Sequence, residues 1–352
     1  LGLPLSDAGY ANFSFEYGES DATDRSVQRD DAAALVAAGN TAVANPAQIW
    51  GSPIIDDDLK LWMNLGLDIG SSTSVYAFGN HSSKHVDGGF YFRNPNTRAA
   101  VFSGDDGASL LIGDLQLAET GVPAGCPAVP ITDNVPDAVA LQEVFARDEC
   151  FSFQEIFPGG FTPRFGGDVS DQSLVGGVRG EMNNGLRWDL SASVGRNEVD
   201  FFINNTVNAS LGPIPGTGNR EVIRDFIPGG QQQIETLVNA HFSYEVGNTG
   251  IGFGAEYRKE LFDLFAGDPN SFALGPLADQ GFSSSSNGFG GFPNSSSNSQ
   301  DSYAAYVDVE SDINDQLTLQ GALRYEDYSA FGDTLDYKLA ALFKVNDDFR
   351  IR

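Results

Sequence analysis

Histidines are the first candidates for metal chemistry in this sequence. His81 and His85 lie four residues apart beside Lys84. That spacing brings side chains together on a helix, and nothing around it predicts one. We therefore expect no metal site there. The third histidine, His241, falls on the polar face of an alternating segment, where we expect it to line an interior.

Two cysteines, Cys126 and Cys150, lie in the same long segment without strand character. Pairing them would close a loop of about 25 residues and stabilise it by roughly 3 kcal/mol. Such a bond persists only in an oxidising compartment. We predict the disulfide, with two independent thiols as the alternative because connectivity cannot be read from sequence.

Motifs for catalysis are missing from the sequence. It has no Gly-x-Ser-x-Gly elbow, no Gly-rich phosphate loop followed by Lys-Ser/Thr, and no Cys-x-x-Cys pair. We therefore expect neither an enzyme nor a cofactor. The net charge of −28, from 48 acids and 20 bases, speaks against binding nucleic acid. This negative charge is consistent with a role in solubility or with a location outside the cell, where acidic loops contact lipopolysaccharide bridged by divalent cations or attract cationic ligands.

The elements that position these residues are predicted to be β-strands. Many glycines and phenylalanines and few methionines favour strands and turns. The longest uncharged apolar stretch, Ala32 to Ala38, is far below the roughly 18 residues of a spanning helix. A closed β-barrel is the other structure that satisfies its backbone in lipid.

Apolar and polar residues alternate in segments of about ten residues, the length of a tilted strand crossing a bilayer. Leu59, Leu61 and Met63, for example, alternate with Lys60, Trp62 and Asn64. Such segments start near residues 11, 59, 188, 238, 251, 305, 317 and 337, with weaker ones at Thr73 to Gly79 and Leu174 to Met182.

Short and long connections take turns between these segments. The short ones are rich in Gly, Asn, Asp and Ser, as tight hairpins require. They run from Gly70 to Ser72, Asn183 to Gly185, Gly247 to Thr249, Asn314 to Gln316 and Asn346 to Asp348. The long ones run from Gly18 to Asp58, Asn80 to Gln172, Asn204 to Gln233 and Phe262 to Asp301. Outer-membrane barrels have short periplasmic turns and long outer loops, so this parity predicts the orientation.

Several details inside the loops and strands follow from the same pattern. Asp30 to Gly39 predicts a short capped helix. Phe282 to Gln300 is rich in Ser, Asn and Gly, which favours a flexible apex or, alternatively, a ligand-touching pair, Phe289 and Phe292. We expect interfacial aromatic girdles from Trp188, Tyr257, Tyr325 and Tyr328, and paired charges on the interior face.

Two runs resemble the mid-barrel of TonB-dependent receptors. Gly252 to Glu260 reads GFGAEYRKE, and Leu323 to Ala340 reads LRYEDYSAFGDTLDYKLA, with Arg-Tyr-Glu-Asp-Tyr-Ser, a Phe-Gly loop and a Lys-bearing return strand. The likeness spans most of Phe15 to Arg352 except the loop from Asn94 to Gln172. It implies an all-β antiparallel transmembrane barrel of about 22 strands with a plugged lumen.

The resemblance implies that residues 1–352 are a partial barrel domain of about ten or eleven strands. The chain begins at Leu1 without an initiator methionine and stops at Arg352 inside an apparent strand. We therefore expect the plug and the last strands to lie outside it. The two unpaired edges of such a fragment would pair with other chains.

The function implied is active uptake across the outer membrane of a Gram-negative bacterium. Outer loops would bind a scarce solute, such as a siderophore, vitamin or carbohydrate, and the TonB complex would supply energy through the missing N-terminal region. The other partners expected are outer-membrane lipid and lipopolysaccharide. A passive porin or adhesin-like barrel is the alternative. Ligand contacts are predicted at Tyr91, Arg93, Arg164, Phe165, Phe289 and Phe292.

Overall fold

The computed structural model describes residues 1–218 and 221–352 and is dominated by one open antiparallel sheet of 12 strands. Neighbours in the sheet are neighbours in sequence, so the chain folds as consecutive hairpins. The all-β antiparallel prediction is confirmed. The sheet is not closed on itself, since β1 and β12 are its two edges. The strands are β1 Gly2–Ser6, β2 Gly9–Ser20, β3 Ile54–Ile69, β4 Thr73–Gly89, β5 Arg164–Glu181, β6 Arg187–Asn204, β7 Phe226–Val246, β8 Thr249–Ala266, β9 Ser296–Asn314, β10 Leu317–Tyr328, β11 Gly332–Lys344 and β12 Arg350–Ile351.

Alternation along each strand gives the sheet an apolar outer face and a mixed inner face. In the register, Leu190 lies opposite Ala240, Phe242 opposite Phe253, and Val307 opposite Leu323. These side chains share the outer face because the strand period is two. Many of them are strongly exposed, although they are large and apolar. An exposed apolar band of this kind indicates contact with lipid.

Four strands extend well beyond the bounds that alternation predicted. β4 runs to Gly89, β5 starts at Arg164, β7 starts at Phe226 and β9 starts at Ser296. Three of the predicted long connections were therefore too long at both ends, and Asn204 to Gln233 was too long at its C-terminal end. The neighbouring strand β6 illustrates the physical reason. On its outer face, the apolar series Trp188, Leu190, Ala192 and Val194 is followed by the polar series Arg196, Glu198 and Asp200. Above the bilayer the hydrogen-bond ladder continues, but the outward side chains no longer need to be apolar.

Aromatic side chains mark the upper limit of the apolar band on the outer face. Tyr257 lies opposite Tyr303, with ring centroids 5.0 Å apart, and Tyr325 lies one strand further along. Trp188 marks the lower limit beside a short turn. Tyr328 does not belong to this girdle, because its register with Ser302 puts it on the inner face.

The long connections pack together above the sheet, and we call residues 21–53, 90–163, 205–218, 221–225 and 267–295 the cap. Its helices are α1 Asp30–Ala37, α2 Leu115–Thr120 and α3 Ala138–Phe145. Its short strands are Ser109–Leu110, Gly113–Asp114, Val129–Thr132, Val135–Pro136 and Cys150–Phe151. Its 3-10 turns are Phe153–Glu155, Ala209–Leu211, Pro269–Ser271 and Ala278–Gln280. The predicted helix at residue 30 is confirmed, but Arg29 at its N-cap makes no side-chain cap.

Three of the cap loops share one hydrophobic core. Phe102, Phe151 and Phe153 come from the loop of residues 90–163, Val207 follows strand β6, and Leu277 with Phe282 comes from the loop of residues 267–295. The segment from Phe282 onward is therefore anchored at its start instead of forming an exposed apex. A separate cluster of Ala32, Leu35, Val43, Ala47 and Phe92 attaches the loop that contains α1. In the described part of the chain, no helix is long and apolar enough to cross a membrane.

Candidate functional site

An aromatic cleft lies at the inner face of the sheet, directly beneath the cap. Phe165 on β5 and Phe201 on β6 point to this face from adjacent strands, and their rings stack 5.6 Å apart. Phe289 arrives from the cap and lies 4.9 Å from Phe165 and 5.2 Å from Phe201. All three rings remain partly exposed. They form an apolar surface that a flat or apolar group can contact.

Two further rings extend the aromatic cleft. Phe292 meets Phe289 edge to face at 5.7 Å, and Phe90 lies 6.1 Å from Phe165. Phe90 also carries the guanidinium of Arg93 above its ring, at 5.4 Å from the centroid. The cleft therefore has a cationic group at one end.

A cavity of about 390 Å³ opens beside the same rings. Its floor is the inner face of the sheet, with Val86, Val199 and Phe201, and Trp50 of the cap covers it. Tyr91 is half exposed and packs edge-on against Trp50 at 5.1 Å. This volume is in the range of small-molecule sites, which combine apolar walls with a few polar groups.

Five of the six predicted ligand contacts lie at or next to this cleft. Phe165, Phe289 and Phe292 belong to its rings, Arg93 lies over Phe90, and Tyr91 packs against Trp50, which lines the cavity. Arg164 is not among them. Its side chain lies on the outer face, where Nε is 2.8 Å from Oδ2 of Asp87.

Electrostatics distinguish Arg93 from the rest of the cap. The residue is only 6% exposed. Burial, reinforced by repulsion from Arg98, lowers the pKa of Arg93 to about 10. The side chain is still cationic at neutral pH, because that pKa lies about three units above it.

Charges on the inner face pair across strands, as predicted, and also between positions two residues apart on one strand. Arg324 reaches Glu256 at 3.0 Å and Glu326 at 3.0 Å, and Arg258 lies 3.1 Å from Glu256. His241 lies on the same face, with Nδ1 2.8 Å from the hydroxyl of Tyr306. Paired groups of this kind line the wall below the aromatic cleft.

A second and larger cavity of about 960 Å³ lies at the opposite end, by the short turns. It is bordered by polar side chains such as Arg179, Asp189 and His241. The smaller cavity is the candidate site, because side chains of the cap and of the sheet meet there.

The histidine and cysteine predictions have clear structural outcomes. His81 and His85 lie on a strand, and His85 Nδ1 contacts Oδ1 of Asp168 at 2.7 Å. Among residues 1–218 and 221–352, no group of His, Cys, Asp and Glu is arranged to hold a metal ion. Cys126 and Cys150 form a disulfide, with Cα atoms 5.7 Å apart.

Sequence reasoning missed Phe90, Phe201 and Trp50 as members of the cleft. Phe201 and Phe90 lie where the apolar alternation had already stopped, so neither was assigned to a strand end. A signal for the cap core was present in the spacing of Phe151, Phe153, Phe157 and Phe161. Phenylalanines this dense are unusual in an exposed loop and indicate a buried cluster.

Comparison with known proteins agrees with the fold. The family described as "TonB dependent receptor-like, beta-barrel" matches residues 145–352, more than half of the chain. No curated protein sequence matches. Similar solved structures include the siderophore receptor PirA from Acinetobacter baumannii, with 14% identity and a TM-score of 0.48 over 98% of this chain and 38% of that one.

Two other structures show the same degree of likeness. A mutant of the ferric enterobactin receptor PfeA from Pseudomonas aeruginosa has 11% identity and a TM-score of 0.48, covering 98% of this chain and 38% of that one. The FrpB iron transporter from Neisseria meningitidis, F3-3 variant, has 11% identity and a TM-score of 0.48, covering 97% and 42%. The chain thus spans about two fifths of the length of these structures. By the family match over residues 145–352, the chain belongs to the TonB-dependent receptor-like β-barrel family.

Proposed function

We propose that this chain is the mid-barrel part of an outer-membrane receptor that imports a scarce solute with energy relayed by TonB. In this proposal residues 1–352 form part of the barrel domain, and a plug and further strands complete it. The barrel contacts outer-membrane lipid and lipopolysaccharide along its apolar band, and the cap faces the outside of a Gram-negative cell. Family membership supports this arrangement.

The observation that carries the proposal is the aromatic cleft beneath the cap. Wall residues Phe165 and Phe201 and cap residue Phe289 contribute to one apolar surface. A solute that enters through the cap would contact wall and cap together. Siderophores, vitamins such as cobalamin and carbohydrates all offer flat or apolar surfaces that stack on aromatic rings.

Uptake by cells that express the full-length protein tests the proposal. A panel of ferric siderophores, cobalamin and maltodextrins is offered to hosts with and without TonB. We expect uptake of one class only in the host with TonB. Uptake that is equal in both hosts would favour a passive barrel and contradict the energised mechanism.

Variants of the cleft connect uptake to the site. Phe165→Ala removes a ring that stacks on two others, and each such contact is worth about 0.5–1.5 kcal/mol. We expect KM to rise about tenfold, which corresponds to about 1.4 kcal/mol. Phe331→Ala, which removes an exposed ring at an upper turn far from the cleft, is the matched control.

A further inference from the structure

Two arginines in the cap, Arg93 and Arg98, have no anionic partner. In the described part of the chain neither forms a salt bridge, and the Nε atom of each is buried without a hydrogen bond. Burial lowers the pKa of both. This is unusual in a chain with 48 acids, because buried guanidinium groups are normally paired.

Two other cap arginines have partners. Arg29 pairs with Asp31 at 3.0 Å, and Arg147 donates to the carbonyl oxygens of Ala124 and Gly125 at 2.7 and 2.9 Å. Within the described residues, Arg93 and Arg98 differ from these two in having a buried Nε without a hydrogen-bond acceptor.

The segment that contains these arginines contacts residues 283–288 at two points. At one end, a Cβ atom on Gly288 would lie 3.5 Å from Nη2 of Arg93. At the other end, the amide of Ser283 donates to the carbonyl oxygen of Ala100 at 2.9 Å. Arg98 lies between these two contacts in sequence.

Residues 283–288 contribute two more buried polar atoms without partners, the hydroxyl of Ser283 and Oδ1 of Asn287. The main chain of Asn287 is already satisfied by Val207 and Thr206. Its side-chain amide can turn by 180° to present its N–H groups instead. Two guanidinium groups, a hydroxyl and an amide together are a donor set for an oxyanion.

We propose that the cap binds a free tetrahedral oxyanion, phosphate or sulfate, between Arg93 and Arg98, with Ser283 and Asn287 as additional donors. Guanidinium groups recognise such anions through paired N–H groups. Arg93 is 6% exposed, so a phosphate that is fixed to a lipid cannot reach it. The bound anion neutralises two buried charges and connects the loop of residues 90–163 to the loop of residues 267–295. The proposal assigns Arg93 to this anion and leaves the aromatic rings of the cleft for the transported solute.

Hydrogen exchange of the full-length protein in detergent tests this site, with inorganic phosphate as the probe at constant ionic strength. We expect phosphate to slow exchange about tenfold in residues 93–103 and 283–288, because a ligand that binds only the folded cap suppresses its opening. Arg98→Gln should abolish the effect. Arg147→Gln should retain it, since Arg147 contacts only carbonyl groups in the same loop.

Further experiments distinguish loss of anion binding from a folding defect, and a free anion from a phosphate that belongs to a lipid. Arg98→Lys keeps the charge and should keep part of the protection, which shows that loss in the glutamine variant is not a folding defect. Selenate soaked into crystals of the unmodified protein should give an anomalous peak between the two arginines. Vesicles that contain lipid A should give no protection. The proposal is overturned if phosphate has no effect, if Arg98→Gln responds like the unmodified protein, or if only lipid A protects.

Discussion

Replacing Phe153 by alanine should loosen the whole cap, including loops that do not contain Phe153. The side chain is 1% exposed, and its ring lies 4.8 Å from Phe151, 6.3 Å from Phe102 and 6.0 Å from Phe282. Removing a fully buried phenylalanine costs about 3–5 kcal/mol. Because Phe282 belongs to another loop, part of this cost falls on contacts between loops.

The expected effect is large enough to measure by proteolysis. A loss of about 3 kcal/mol raises the population of the open cap more than 100-fold, and cleavage follows that population when opening is fast. Limited proteolysis of the full-length protein, with fragments identified by mass spectrometry, should show faster cleavage in residues 90–163, 205–218 and 267–295 together. The strands should stay intact.

A matched control and a clear contradiction accompany this experiment. Leu274→Ala removes an apolar side chain that is 80% exposed in the same cap. Exposed substitutions change stability by at most about 0.5 kcal/mol, so cleavage should be unchanged. If Phe153→Ala accelerates cleavage in residues 90–163 alone, the loops are independent and the shared core does not hold the cap together.

Three further changes test other parts of the molecule. Leu190→Arg puts a charge in the middle of the apolar band and should destabilise the barrel by about 2–4 kcal/mol in urea titrations in lipid vesicles; an unchanged midpoint would contradict lipid contact. Cys126→Ser removes the disulfide between residues 24 apart in sequence and should destabilise the cap by about 3.5 kcal/mol. In this variant, dithiothreitol should no longer change the hydrogen exchange of the cap. Burial raises the pKa of Asp31, but the ion pair and hydrogen bond with Arg29 lower it by more, so the net shift is downward. The charged Asp31 should therefore stabilise α1 above about pH 4, and this stabilisation should be lost as the pH falls through the lowered pKa. Asp31→Asn should remove this acid dependence from the exchange of α1.

The membrane-spanning part of the sheet could be predicted from the sequence because lipid imposes a period of two. Leu190, Val238 and Phe253 face lipid from three adjacent strands, and their neighbours along each strand face the opposite side of the sheet. The upper halves of the strands obey no such rule. Arg196, Glu198 and Asp200 on β6 look like loop residues, yet they continue the hydrogen-bond ladder.

The candidate site could be predicted only in part, because its members come from separate loops. Phe289 and Phe292 stand out as aromatic residues in a polar segment, and Phe165 stands beside an arginine. Phe201, Phe90 and Trp50 have no local signal that distinguishes them from wall or loop residues. Their role depends on how the cap packs on the sheet, which is tertiary information. Arg164 was predicted as a ligand contact because residues 80–172 were assigned to a connection; the strand that in fact starts at Arg164 points its side chain outward.

Labelling of single cysteines on intact cells tests most directly the claim that the chain is an outer-membrane barrel with its cap outside. Val139 in α3 is 81% exposed, and Asn248 lies in a short turn at the opposite end. The native Cys126 and Cys150 are joined to each other and do not react. A membrane-impermeant maleimide should label Val139→Cys on intact cells and Asn248→Cys only after the outer membrane is permeabilised. Labelling of Asn248→Cys on intact cells, or of neither position until cells are broken, would contradict the account.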